Sequence, residues 1–171
     1  MVFSSNIFLF VFLPAFLTFY YLTPEGKRSW VILIGSYIFY AWWRVDFLLL
    51  FIAVTLWNYF IGRGIASAGT QSARARQWVA VGVIVNLSAL AYFKYANFGV
   101  ATVNAAMTEL GLDPWLLTAV ILPIGISFYI FQAISYIIDV YRGDSPATEN
   151  LVDFAAFIAL FPQLIAGPVL R

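Results

Sequence analysis

Residues 122–142 read LPIGISFYIFQAISYIIDVYR, and their reading decides the fold. As a helix rising 1.5 Å per residue, about 20 apolar residues cover the ~30 Å of a bilayer's hydrocarbon core. The stretch is not uniformly apolar. Projected at about 100° per residue, Gly125, Tyr129, Gln132, Ser135, Tyr136, Asp139 and Arg142 share a stripe roughly 140° wide, with Phe128 as its one large apolar member. Ile126, Ile130, Ala133, Ile134, Ile137 and Val140 take the other side. Polar side chains facing lipid go unpaired at a cost of kilocalories, so the stripe is expected to face protein or water.

Two readings of the stripe compete. In one, Gln132 and Ser135 join helices, and Asp139 pairs with Arg142 three residues on. In the other, the helix lines a cavity. Pro123 and Gly125 favour the second, because irregular backbone at membrane depth is tolerated only inside protein or beside water.

Composition points the same way. The chain is 63% hydrophobic and 10% charged, with a mean hydropathy of +0.91. Globular domains carry about 25% charged residues, so this is read as an integral membrane protein. The long apolar runs lack the alternation of a β-barrel strand, which leaves an all-α polytopic architecture. A net charge of +1 gives no basis for nucleic-acid binding. The chain has neither Cys nor His, so thiolate chemistry and the commonest general base and metal ligand are excluded. No metal site is expected.

Working outward towards the N-terminus, Phe3 to Leu22 form a first apolar span with Pro14 as a kink. No basic n-region or small-residue cleavage site marks it as a signal peptide. Lys27 and Arg28 follow in a short loop. Trp30 to Trp43 is an apolar run of only about 14 residues, short for a crossing. YAWWRVDF, at 40–47, then reads as the tip of a tight helical hairpin, with Arg44 and Asp46 as an ion pair at the turn and Trp42 and Trp43 at headgroup level.

From Gly62 to Arg76 the chain is rich in small residues and carries Arg63, Arg74 and Arg76 without an acid, which reads as a cytoplasmic loop. Counting outward returns Lys27 and Arg28 to that side and puts the N-terminus outside. Counting forward puts Glu109 to Asp113 outside and Arg142 inside. Lys94 snorkels to the interface. Asn97 to Leu112 either lies along the outer interface or continues the preceding helix.

After a turn-rich loop, RGDSPATEN at 142–150, a sixth apolar segment runs from Leu151 to Leu170. Pro162 and Pro168 remove amide donors and Gly167 loosens the backbone between them, so this segment is expected to be broken or re-entrant. The sequence ends directly after it, as a truncated chain would.

The runs YAWWRVDF, YFKYANF, LPIGISFYIFQAISYIIDVYRG and FPQLIAGPVLR resemble the N-terminal part of the membrane-bound O-acyltransferase family, in order and over essentially all 171 residues. The resemblance implies that residues 1–171 form one N-terminal transmembrane portion, of about six segments, of a larger membrane domain. It implies transfer of acetyl groups to a cell-surface polysaccharide of the alginate type. D-alanyl or other acyl transfer, and a non-enzymatic channel or transporter component, are the alternatives. The family's catalytic residue is a His in a later helix, so no catalytic residue is carried over and the chain alone is expected to be inactive.

What carries over is a core around the reaction chamber, matched here by Leu122 to Gln132, Ile134 to Gly143 and Phe161 to Pro168. The candidate lining residues are therefore Gly125, Tyr129, Gln132, Ser135, Tyr136, Asp139, Arg142, Pro162, Gln163, Gly167 and Pro168. No bound cofactor is expected, and the acyl donor is either acetyl-CoA or another acetyl carrier. Expected partners are the lipid bilayer, the rest of the same polypeptide and periplasmic polysaccharide-acetylation proteins, with no nucleic acid. The expected location is the bacterial inner membrane, multi-pass, with a periplasmic N-terminus.

Overall fold

In a computed structural model of the chain, the residues described are 5–42, 44–115 and 120–166, without the side chains of 164–166. They form helices, turns and irregular connections, with no strand among the described residues. A π-helical turn, Phe8–Phe12, leads into α1, Leu13–Leu22, and takes up the distortion expected at Pro14. There follow α2, Arg28–Ala41; α3, Val45–Ala68; α4, Ala73–Glu109; α5, Ile126–Arg142; α6, Leu151–Ala159; and α7, Phe161–Ala166.

Local chemistry sets the ends. The Ser72 side chain accepts from the Ala75 amide to cap α4, and that of Asn150 accepts from Val152 to cap α6. α5 is bracketed by two left-handed glycines, Gly125 at φ 75° and Gly143 at φ 83°. At the second, the amides of Gly143 and Asp144 donate to Val140 and Asp139 carbonyls in a Schellman turn. Gln71 then supplies what α5 still lacks. Its backbone amide donates to the Tyr141 carbonyl and its side chain to that of Arg142, at φ 60°.

Residue pairs across the interfaces fix the directions. Tyr40 and Tyr37 meet Phe51, and Asn58 meets Asn86, so α2 and α3, and then α3 and α4, run antiparallel. Phe51 meets Tyr129 and Gly62 meets Tyr136, so α3 and α5 run parallel. The turn at Glu25–Lys27, the turn at 69–72 and the loop at 143–150 thus gather at one end of the bundle. That end holds Lys27, Arg28, Arg63, Arg74, Arg76 and Arg142, six of the nine basic residues.

The centre is α3, α4 and α5, whose Phe51, Ile61, Ile65, Tyr129, Ile130, Ala133 and Ile137 are almost wholly buried. Small residues let these helices approach. A side chain at Gly82 would begin 2.9 Å from both Ile61 and Ile137. Between α3 and α4, the amides of Asn58 and Asn86 pair reciprocally at 3.0 and 2.7 Å and spend their remaining protons on the Val54 and Gly82 carbonyls. Phe161 anchors α7 with its ring 5.1 to 5.9 Å from those of Phe8, Phe12, Phe16 and Phe39.

Several sequence expectations change. Residues Gly62 to Arg76 are not a loop: α3 continues to Ala68 and α4 begins at Ala73, because Gly and Ala pack between helices here. The segment after Lys94 continues α4, which at 37 residues is about 55 Å long. Two of its side chains, one heptad apart, hold the backbone at Trp115 and at Val120. Asn104 exchanges two hydrogen bonds with the backbone of Trp115, and Asn97 does the same with Val120. The expected pair of Asp139 with Arg142 does not form, whereas that of Arg44 with Asp46 does.

α3 and α4 are each long and apolar enough to cross a membrane. Much apolar surface is left outside, including Phe10, Leu22, Phe60 and Phe98, each more than 60% exposed. A water-soluble monomer rarely exposes so much.

Candidate functional site

α6 and α7 would be one helix but for Pro162, which cannot donate to the Ile158 carbonyl and whose ring crowds it. The chain breaks at Leu160, at ψ 104°. The break frees the Phe157 carbonyl and the Phe161 amide, which would otherwise bond to each other. Both are met by side chains from neighbouring helices. Gln132 of α5 donates to the Phe157 carbonyl at 3.0 Å, and the Phe161 amide donates to the Ser36 hydroxyl of α2 at 3.3 Å. Gln132 also donates to the Gln163 side-chain oxygen at 3.2 Å. Ser36 and Gln132 are 1% and 3% exposed, so a freed backbone group here has no water to turn to.

A second polar group lies at the other end of α5. The Tyr40 hydroxyl donates to the Ile124 carbonyl at 2.9 Å, beside left-handed Gly125. The Tyr129 hydroxyl lies near that of Tyr40, is fully buried and makes no hydrogen bond of full geometry among the described residues. Phenols in apolar surroundings normally find one. Further along α5, the Tyr136 hydroxyl accepts from the Thr148 amide at 3.1 Å, tying the 143–150 loop to the helix.

The predicted stripe is therefore divided. Tyr129, Gln132 and Tyr136 are buried, Gly125 and Asp139 are half-buried, and Ser135 and Arg142 are exposed. Gln132 and Gln163 are brought together; Pro162 is exposed and makes the break; Gly167 and Pro168 lie outside the described residues. The isoleucine side of α5 is the more deeply enclosed, because it packs on α3 and α4. The larger grooves lie away from the stripe. One of about 400 Å³ runs between α1 and α2, lined by Phe16, Phe19 and Ile34 among others, and one of about 550 Å³ lies beside Arg76, Gln77 and Tyr141.

Sequence reasoning missed Ser36, Tyr40, Asn58 and Asn86. All four are polar residues inside apolar runs, which was the available signal. What hid them was the absence of a long polar stripe: Ser36 and Tyr40 make a face of only one turn on α2, and Asn58 and Asn86 sit among apolar neighbours on α3 and α4.

Fold and site together define an all-helical protein with a broken helix whose freed backbone groups are satisfied by buried amide and hydroxyl side chains. No protein-family model and no solved structure matches the chain. Curated proteins do match it. Probable alginate O-acetylase AlgI of Pseudomonas syringae pv. tomato is 67% identical, and that of Pseudomonas aeruginosa 63%, over all 171 residues. A peptidoglycan O-acetyltransferase of Helicobacter pylori is 30% identical, again across the whole chain. The chain spans 33% of the length of each of those two Pseudomonas proteins and 37% of the Helicobacter one. It is thus similar throughout to the N-terminal third of the alginate O-acetylases, the resemblance its motifs carry.

Proposed function

We propose that this chain is the N-terminal part of a membrane-bound O-acyltransferase that moves acetyl groups onto a cell-surface polysaccharide of the alginate type. The observation that carries the reading is the identity of 63 to 67% with alginate O-acetylases over every residue of the chain. Its place is the bacterial inner membrane, crossed several times, with the basic end of the bundle cytoplasmic and the N-terminus periplasmic. α4 is about 25 Å longer than a hydrocarbon core, which suits a helix whose far end stands in the outer interface. The acyl donor is acetyl-CoA or another acetyl carrier, and the acceptor is reached on the far side with periplasmic partners.

Within that reading, the residues around the α6–α7 break and along α5 shape the reaction chamber. Tyr129, Tyr136 and Gln163 supply hydrogen bonds to orient substrate and to meet charge developing on oxygen, and Gln132, whose N–H bonds go to Phe157 and Gln163, holds Gln163 in place. The chain holds no His, so the general base comes from elsewhere in the polypeptide, and residues 1–171 alone transfer no acetyl group.

The test is made in an alginate-producing strain with its own acetylase gene deleted. Supplying the full-length protein should restore acetyl ester to the secreted polymer, and supplying residues 1–171 should not. Polymer that stays unacetylated with the full-length protein in the membrane would refute the reading.

A further inference from the structure

The amides of Gln132 and Gln163 are not free to choose their orientation. The Phe157 carbonyl can only accept, so the Gln132 atom 3.0 Å from it is the nitrogen, Nε2. That nitrogen also lies 3.2 Å from the Gln163 side chain, where a second NH2 would set donor against donor, so the Gln163 atom is its oxygen, Oε1. The NH2 of Gln163 is thereby turned away from Gln132. No acceptor among the described residues takes it, although the side chain is half-buried.

Two N–H bonds with no acceptor among the described residues suit a ligand atom that accepts. A carbonyl oxygen fits this. A hydroxyl could accept there too and give its proton to the second lone pair of Oε1, but within the acyl-transfer reading the carbonyl oxygen is the one that gains charge as the reaction proceeds. A carboxylate or phosphate does not fit, because the groups gathered at the break, Ser36, Phe39, Phe157, Phe161 and Gln132, are all neutral and would leave the anion uncompensated. We infer that the Gln163 NH2 receives the carbonyl oxygen of the acyl group in transfer, and that Gln132 is the positioning residue that aims it.

This rests on the acyl-transfer reading. As the acceptor hydroxyl oxygen bonds to the acyl carbon, the carbonyl π pair moves onto the oxygen facing Gln163. When that pair returns, the bond to the donor's leaving group breaks, and the leaving group departs with the proton the hydroxyl has lost. Hydrogen bonds that strengthen as the oxygen becomes anionic lower the barrier, and removing one such donor costs on the order of 10²- to 10³-fold in rate.

The experiment uses the full-length protein in the acetylase-deleted strain, reading acetyl per polymer against protein in the membrane. Gln163→Met keeps the length of the side chain and removes the whole amide, the NH2 together with the Oε1 that accepts from Gln132. It should lower acetylation at least about tenfold at unchanged membrane level, a loss beyond any small fall in melting temperature. Gln132→Leu should lower it too and, by stripping the Phe157 carbonyl of its donor, lower the melting temperature; per folded protein, Gln132→Leu in the Gln163→Met background should lower acetylation no further, because Gln132 aims an amide already gone. A merely structural Gln132 would multiply the loss.

Wild-type acetylation by Gln163→Met, or a multiplied loss in the double variant, overturns the inference while the wild-type control stands. A wild-type protein that acetylates nothing overturns the acyl-transfer reading and this inference with it.

Discussion

The ring of Tyr136 lies directly on the backbone of Gly62, so close that a Cβ there would stand 2.6 Å from a ring carbon. The contact joins α3 to α5 and leaves the Tyr136 hydroxyl in place to accept from Thr148. Ring and backbone are both held by their neighbours, so neither can yield cheaply. Gly62→Ala should therefore destabilise the full-length protein by about 1–3 kcal/mol, as overpacking does. Gly99→Ala, with nothing within 4 Å of its Cβ, should not. Thermal unfolding in detergent checks both; equal melting temperatures for the two would contradict the packing.

The Asn58–Asn86 pair should behave as a coupled unit. Asn58→Leu removes one amide and leaves the other buried with half its partners gone. The loss should be about 1–2 kcal/mol, and Asn86→Leu added to it should cost much less than it does alone. A double-mutant cycle on unfolding midpoints measures this. Strict additivity would mean that the two amides do not interact.

Tyr129 gives the opposite expectation. Its hydroxyl is buried without a partner among the described residues, so Tyr129→Phe should leave the melting temperature unchanged or raise it. Tyr40→Phe should lower it by the loss of the bond to Ile124. If Tyr129→Phe proves the more damaging, its hydroxyl is paired in the full-length protein.

Topology follows from the distribution of charge between the two ends of the bundle. A reporter domain fused after residue 70 should behave as cytoplasmic, and one fused after Asp113 as external. Paired alkaline-phosphatase and fluorescent-protein fusions read the two sides, and the reverse pattern at both sites would invert the whole arrangement.

The sequence by itself determined the class and the main joints of the chain. Apolar runs with no alternation required helices, and Gly125 with Pro123 marked the start of α5. Pro162 marked the break before α7, and Arg44 with Asp46 marked the hairpin turn. These are local effects: a missing amide proton, a backbone angle open mainly to glycine and a charge that must stay near water act on the residues beside them. The Gly62 to Arg76 loop failed because composition cannot tell a loop from a helix end whose small residues serve close packing. Gly62 and Gly64 lie under Tyr136 and Trp78, which are 74 and 14 positions away in the chain.

Only the tertiary structure decided which side of α5 is buried and which polar residues meet. The stripe through Tyr129, Gln132 and Ser135 is real as a helical projection, but a projection has no neighbours. α3 and α4 cover the isoleucine side, α6 and α7 cover Gln132, and nothing described covers Ser135. Ser36 caps an amide 125 residues away, and Asn58 meets Asn86, 28 residues on, across the α3–α4 interface. A hydrogen bond needs its two groups within about 3 Å, and for residues on different helices that distance is set by how the helices pack.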